Sequence, residues 1–171
     1  MYTIRQLADA DRGVFRELRQ TALKVDPDDF MMTAEEEKAV PRLSIESALE
    51  QPGRCNFFLG AFSGNPAQLI GIAGLITSEF HKTRHSGHIT SLFVHPAHRR
   101  RGIARMLVEG LLAQAKREGL RSVRLEVVAD NRIAIALYQL LGFVSYGREP
   151  AAYRIDGREW DLLLMTRDFT S

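Results

Sequence analysis

Arg99, Arg100 and Arg101, followed by Gly102 and Ala104, are the residues in this chain whose types and spacing could do chemistry. They stand between a strand-like run, His88–Val94, and a stretch where Ile103, Leu107, Leu111 and Leu112 or Ala115 recur at helical spacing. Pro96 stops the strand. The first turn of a helix leaves main-chain N–H groups without intrahelical partners, and its dipole favours negative charge. Gly102 lets a ligand come close to the backbone, Ala104 keeps the next turn thin, and Arg99 to Arg101 with Arg105 add positive charge. That is a place for a pyrophosphate, built without a Walker lysine. A basic triplet before a helix also suits a solvated surface; the thinned first turn is what favours the anion site.

A second segment has its own chemistry. Asn131 follows the strand-like run Ser122–Val128 and can cap the helix it opens, while Gly142 stands where a left-handed residue would end that helix. Ile133, Leu137, Leu140 and Leu141 are expected to form one apolar face. Asn131, Ala134 and Tyr138 fall on another, placing one small residue between an amide and a phenol. A tyrosine at the apolar edge of a helix is also ordinary core packing.

The pattern Arg99-x-x-Gly102-x-Ala104 after Leu92-Phe93-Val94 resembles motif A of the GCN5-related N-acetyltransferases. Asn131-x-x-Ala134-x-x-Leu137-Tyr138-x-x-x-Gly142-Phe143 resembles motif B of the same superfamily, in the same order. The resemblance implies acetyl-coenzyme A as co-substrate. Its pyrophosphate would lie on main-chain N–H groups of the segment Arg99, Arg100, Arg101, Gly102, Ile103, Ala104 and Arg105. Leu92, Phe93 and Val94 would offer main-chain groups to the pantetheine arm where two central strands part, with Asn131 and Ala134 beside that arm. Tyr138 would protonate the departing thiolate, and a phenol is well matched in pKa to a thiol. One branch of the superfamily carries a basic Glu six residues before the position matching Val94; here that position is His88. His88 is therefore the candidate base for a primary amine, with Glu126 and Glu79 as rivals.

Composition fits this picture. The chain has 171 residues, 45% hydrophobic and 26% charged, with a net charge of +2, which suits one globular domain and makes no demand for nucleic acid. Few basic residues cluster, without aromatic platforms, so no nucleic-acid partner is expected. The longest apolar stretch, Leu69–Ile76, is too short to span a bilayer, so no membrane partner and a cytoplasmic location are expected. Cys55 is the single cysteine, which excludes an internal disulfide, and reads as a buried bystander. All five histidines lie between His81 and His98 but straddle a loop, a strand and the basic turn, so no metal is expected.

The positioning elements read β-α-α-β-β-β-α-β-α-β-β. Tyr2–Leu7 opens as a strand, and a helix follows with Val14, Phe15, Leu18, Ala22 and Leu23 on one side. Asp26-Pro27-Asp28-Asp29-Phe30 breaks it; Thr33 to Glu36 forms a capping box, and Pro41 interrupts the second helical region before Leu43–Glu50. Strands follow at 56–62, 68–78, 88–95 and 121–129, helices near 100–118 and 131–141. The last strands, near 143–155 and 158–168, flank the hairpin signal Asp156-Gly157. The expected fold is an α/β, mostly antiparallel mixed sheet of about seven twisted strands. About four helices cover both its faces, its central strands are splayed, and it is one N-acetyltransferase domain over 1–171. The amine acceptor is expected to be a small molecule or a peptide, selected around Phe30-Met31-Met32, the acidic Glu35-Glu36-Glu37, the loops 79–87 and 145–153, and Tyr146, Tyr153 and Trp160. A homodimer through the last strands is one option. The alternative function is a non-catalytic acyl-coenzyme A-binding module, which would have no use for an acid at Tyr138.

Overall fold

The structure, a computed structural model, describes residues 2–53 and 56–169; Cys55 lies outside the described residues. Seven strands form one sheet: β1 (Tyr2–Gln6), β2 (Phe57–Ser63), β3 (Gln68–Thr77), β4 (Ser86–Val94), β5 (Ser122–Val128), β6 (Val144–Ile155) and β7 (Arg158–Asp168). Their spatial order is β1-β2-β3-β4-β5-β7-β6, antiparallel throughout except for the parallel β4–β5 pair. Among the described residues five α-helices join them: α1 (Arg12–Val25), α2 (Ala34–Ala39), α3 (Ser47–Glu50), α4 (Ile103–Arg117) and α5 (Arg132–Leu140). None of them is long and apolar enough to cross a membrane.

Two apolar clusters lie on the two faces of the sheet. Phe15, Leu18 and Ala22 of α1 meet Phe58, Phe62, Leu69, Ile72 and Phe93 on one face. Leu107, Leu111 and Ala115 of α4 meet Ala61, Ile70, Ala73 and Leu75 on the other, joined by Tyr138 and Phe143. Alternate residues of a strand point to opposite faces, so Phe57 and Phe58 serve different cores. The hairpin at Asp156-Gly157 has both central residues at positive φ, 48° and 79°, as a tight two-residue turn between twisted strands requires.

Two helical faces differ from expectation. In α1, Val14 is exposed; the buried stripe runs through Phe15, Leu18, Arg19 and Ala22, and a charged residue takes part in it. In α5, Ile133 is 88% and Leu140 68% exposed, while Tyr138 and Leu141 are buried. That helix is apolar on nearly every side, so periodicity did not choose its inner face; the bulky Tyr138 ring, packed edge-on to Phe143 at 5.7 Å, does.

The central feature is a parting of strands. β4 and β5 pair only through Ser86, Gly87 and His88 with Ser122, Val123 and Arg124. Beyond that, β4 follows β3 and β5 follows β7, with no rungs between them. Just past the last shared rung, β4 carries a bulge: its register with β3 shifts between Ile72 and Gly74, and Ser91 sits at φ 57°.

Candidate active site

A groove of about 990 Å³ opens where β4 and β5 separate. Leu92, Phe93 and Val94 from β4, Arg99, Arg100 and Gly102 to Arg105 of the turn, and the start of α5 at Asn131, Ala134 and Leu137 line it. Arg100 and Gly102 adopt φ 59° and 78°, and Gly102 is the residue before α4. The main-chain N–H groups of Arg100 through Arg105 donate to no acceptor among the described residues; the first inward bond at this helix start is Met106 N–H to Gly102 O, 3.0 Å. A Cβ built on Gly102 would meet no atom within 4 Å. Six free donors around an open glycine at a helix start fit a diphosphate.

The arginines divide their work. Arg99 donates from Nε to the Val94 carbonyl at 2.9 Å and pairs through its other nitrogens with Asp26, so it ties the strand end to the α1–α2 connection. Arg101 donates to the Tyr2 hydroxyl at 2.8 Å and does not line the groove. Arg105 pairs with Glu109 one turn on. Arg100 lines the groove with no side-chain acceptor among the described residues, leaving its charge for a ligand.

Asn131 caps α5, its Oδ1 accepting from Ala134 N–H at 3.0 Å. Its amide nitrogen donates to both oxygens of Asp29, at 2.9 and 3.0 Å. Tyr138, one turn beyond Ala134, is 6% exposed and is not part of the groove wall. Burial, with the charge of Asp29 added, raises its phenol above the usual value and keeps it protonated. Burial likewise raises the Asp29 carboxyl, against the hydrogen bond from Asn131 that lowers it.

His88 is on the last shared rung of β4 and β5, away from the groove wall, with Nε2 3.7 Å from Glu126 Oε2 and both side chains open to solvent. Glu79 lies in the loop after β3. The structure therefore gathers most of the cofactor candidates around one groove, leaves Arg101 and Tyr138 off its wall, and sets the base candidates His88 and Glu126 together beside the last β4–β5 rung.

Sequence reasoning missed the acidic connection. Asp26, Asp28 and Asp29 line the groove and reach three elements across it: Asp26 to Arg99, Asp29 to Asn131, and Asp28 to Arg158 at 3.5 Å. The signal was three Asp in four residues, opposite in sign to the arginine turn, but it read as a helix breaker. Trp160, with the Arg158 guanidinium 4.7 Å above its ring, also lines the groove. Tyr146 is exposed, as is Met31. The expected acidic patch is not one: Glu37 is fully buried against Arg19, and Glu36 closes the capping box with Thr33. Among the described residues no group of three or more His, Cys, Asp or Glu is arranged to hold a metal ion.

Known proteins share both the sequence pattern and the architecture. The N-alpha-acetyltransferase RimI of Mycobacterium tuberculosis is 39% identical over 114 residues, 66% of each chain. The [ribosomal protein bS18]-alanine N-acetyltransferase of Escherichia coli is 38% identical over 76 residues, 44% of this chain and 51% of that protein. An uncharacterized Mycobacterium leprae protein is 37% identical over 113 residues, and the match spans only 29% of its length. Among solved structures, the acetyltransferase of GNAT family from Streptococcus pneumoniae superposes with TM-score 0.80 at 23% identity, covering 99% of this chain and 100% of that one. A Salmonella typhimurium protein solved with its cofactor acetyl-CoA gives 0.79 at 21% identity, covering 100% of this chain and 95% of that one. These two share the fold. The acetyltransferase (GNAT) family matches residues 15–143, well over half of the sequence, and the chain belongs to that family.

Proposed function

We propose that this chain is an acetyl-coenzyme A-dependent N-acetyltransferase, a single domain that passes an acetyl group directly to a primary amine within a ternary complex. The observation that carries the reading is the run of free N–H groups from Arg100 to Arg105 around Gly102, opening onto the gap between β4 and β5. Relatives named for N-alpha and ribosomal-protein alanine acetylation support a protein N-terminal amine as the acceptor. Small amines are the competing acceptor class.

When bound, acetyl-coenzyme A supplies a thioester whose acetyl carbon accepts an amine. The chain's residues do the rest. The turn at Arg100 to Arg105 and the free Arg100 side chain hold the diphosphate. Leu92, Phe93 and Val94 line the passage for the pantetheine arm, and Asn131 and Ala134 form its other wall. Holding two reactants together can contribute on the order of 7 kcal/mol or more to the lowered barrier. Tyr138, kept protonated by burial, donates its phenolic proton to the leaving sulfur. A peptide α-amine has a pKa of about 8, so about a tenth is neutral at pH 7 and only modest base strength is needed. His88, beside Glu126 and open to solvent, accepts through water the proton that the amine nitrogen loses as the C–N bond forms and the C–S bond breaks.

The test is thiol release from acetyl-coenzyme A by the purified protein across peptides with free N-termini, lysine peptides, amino acids and polyamines. Mass spectrometry of the acceptor then identifies the acetylated nitrogen. Thiol release with a free N-terminus supports the reading. Coenzyme A binding without release by any amine would make the chain a binding module instead.

A further inference from the structure

The buried charges of α1 and α2 are not explained by the groove, yet one of them reaches the strand that lines it. Arg19 is 6% exposed and Glu37 0%. Arg19 Nε contacts both Glu37 oxygens at 3.1 and 3.0 Å, and Nη2 contacts Oε2 at 2.6 Å. The remaining arm, Nη1, donates to Ser91 Oγ at 2.7 Å. A buried ion pair is seldom more stabilising than an apolar pair of similar size, so its usefulness lies in where it points. Here it points at the bulge.

Ser91 is a non-glycine residue at φ 57°, a conformation that L residues adopt at a cost. The bulge it forms lies between the last β4–β5 rung, at His88, and the groove-lining Leu92, Phe93 and Val94. The bulge sets how β4 leaves β5, and the following residues aim their main chain accordingly. On the other side, Arg16 fixes the segment that carries Glu37: its Nη1 donates to Val40 O at 3.0 Å, its Nη2 to Pro41 O at 3.1 Å, and it pairs with the buried Glu46. Glu37 is thereby held still, and the fork geometry of Arg19 passes that rigidity to Ser91.

We propose that Arg19, clamped by Glu37, is a positioning residue for acetyl transfer: its hydrogen bond to Ser91 holds the β4 bulge and so fixes the main-chain aim of Leu92 to Val94. This rests on the acetyltransferase reading above. The affinity for coenzyme A resides mainly in the Arg100–Arg105 turn, which this clamp does not touch, so the clamp governs turnover rather than cofactor binding.

Ser91→Gly is the decisive variant, because glycine takes the left-handed conformation without strain and the fold survives, while the acceptor for Arg19 is gone. Ser91→Asn is its partner, since Asn tolerates that conformation and restores an acceptor oxygen. Expected for Ser91→Gly is a kcat lower by about tenfold, the scale of one hydrogen bond to a charged donor, with the coenzyme A dissociation constant within about twofold. Amide hydrogen exchange at Leu92 to Val94 should quicken while that of β2 stays unchanged, and Ser91→Asn should recover at least part of both losses. Wild-type kcat and exchange in Ser91→Gly overturn the proposal; so does a parallel loss of kcat, cofactor affinity and melting temperature. If the wild-type protein acetylates no amine, the enzymatic reading fails, and the exchange measurement alone decides the clamp: quickened exchange supports it, unchanged exchange refutes it.

Discussion

Gly102 is where the cradle can be challenged with the least collateral damage. It stands at φ 78°, and a Cβ added there would have no atom within 4 Å, so a first side-chain carbon at this position clashes with nothing in the protein. It does force an L residue into the left-handed region, at about 1–2 kcal/mol and somewhat more for a β-branched side chain. In a domain of this size that lowers the melting temperature by roughly 2–4 °C per kcal/mol, so a drop of about 2–8 °C is expected. The larger effect is on the ligand. The isopropyl group occupies the space in front of the free N–H groups. Each hydrogen bond lost to a charged phosphate costs about 1.5–3 kcal/mol. With tenfold per about 1.4 kcal/mol, displacing one such bond weakens coenzyme A by roughly 10- to 100-fold. Calorimetric titration of Gly102→Val with coenzyme A, beside a thermal melt of the free protein, separates the two effects. Gly102→Ala serves as the control that carries most of the strain with less bulk. A dissociation constant within twofold of wild type, together with the expected fall in melting temperature, would refute the cradle.

Tyr138→Phe should lower kcat by about 10²-fold, the lower end for a lost general acid, while coenzyme A affinity stays unchanged; steady-state kinetics with full activity would remove Tyr138 as the proton donor. His88→Ala should lower kcat/KM at neutral pH by about 10²-fold, and an unchanged value would move the base to another group. The Arg42 hydrogen bond, opposed by desolvation and reinforced by the charges of Arg42 and Arg12, holds the Glu50 carboxyl down to about 2. A carboxyl lowered in the folded state stabilises above its unfolded value, about 4.5, and that contribution is lost as the pH falls toward 2. Thermal melts of Glu50→Gln should therefore decline less steeply than wild type over that window; parallel curves would show the pairing to be without thermodynamic effect.

The turn, the caps and the hairpins were legible in the sequence because each rests on a local rule. Gly102, the Asn131 cap, the Thr33–Glu36 box and Asp156-Gly157 all stand where short-range chemistry puts them. What stayed hidden depends on partners far along the chain. Glu37 read as part of an acidic triplet facing the acceptor and Arg19 gave no signal, because charge normally faces water; only the packing of α1 on α2 reveals each as the other's counter-ion. The bulge at Ser91 has no glycine to announce it. The inner face of α5 was unreadable because Ile133 and Leu140 are as apolar as the residues that are buried. Asp26 and Asp29 became site residues only once the fold brought them to Arg99 and Asn131.

Among the described residues, three rungs, Ser86 to His88 with Ser122 to Arg124, are the strand pairing between the four-stranded portion β1–β4 and the three-stranded portion β5–β7, with the Arg121 N–H to His85 O bond beside them. The molecule is in effect two leaves bound along one short spine. A guest chain lying in the open margin supplies the missing stitches, so occupancy should stiffen the two leaves against scissoring. Coenzyme A at one hundred times its dissociation constant should then add about 2.7 kcal/mol to the stability of the whole protein, felt equally in both leaves.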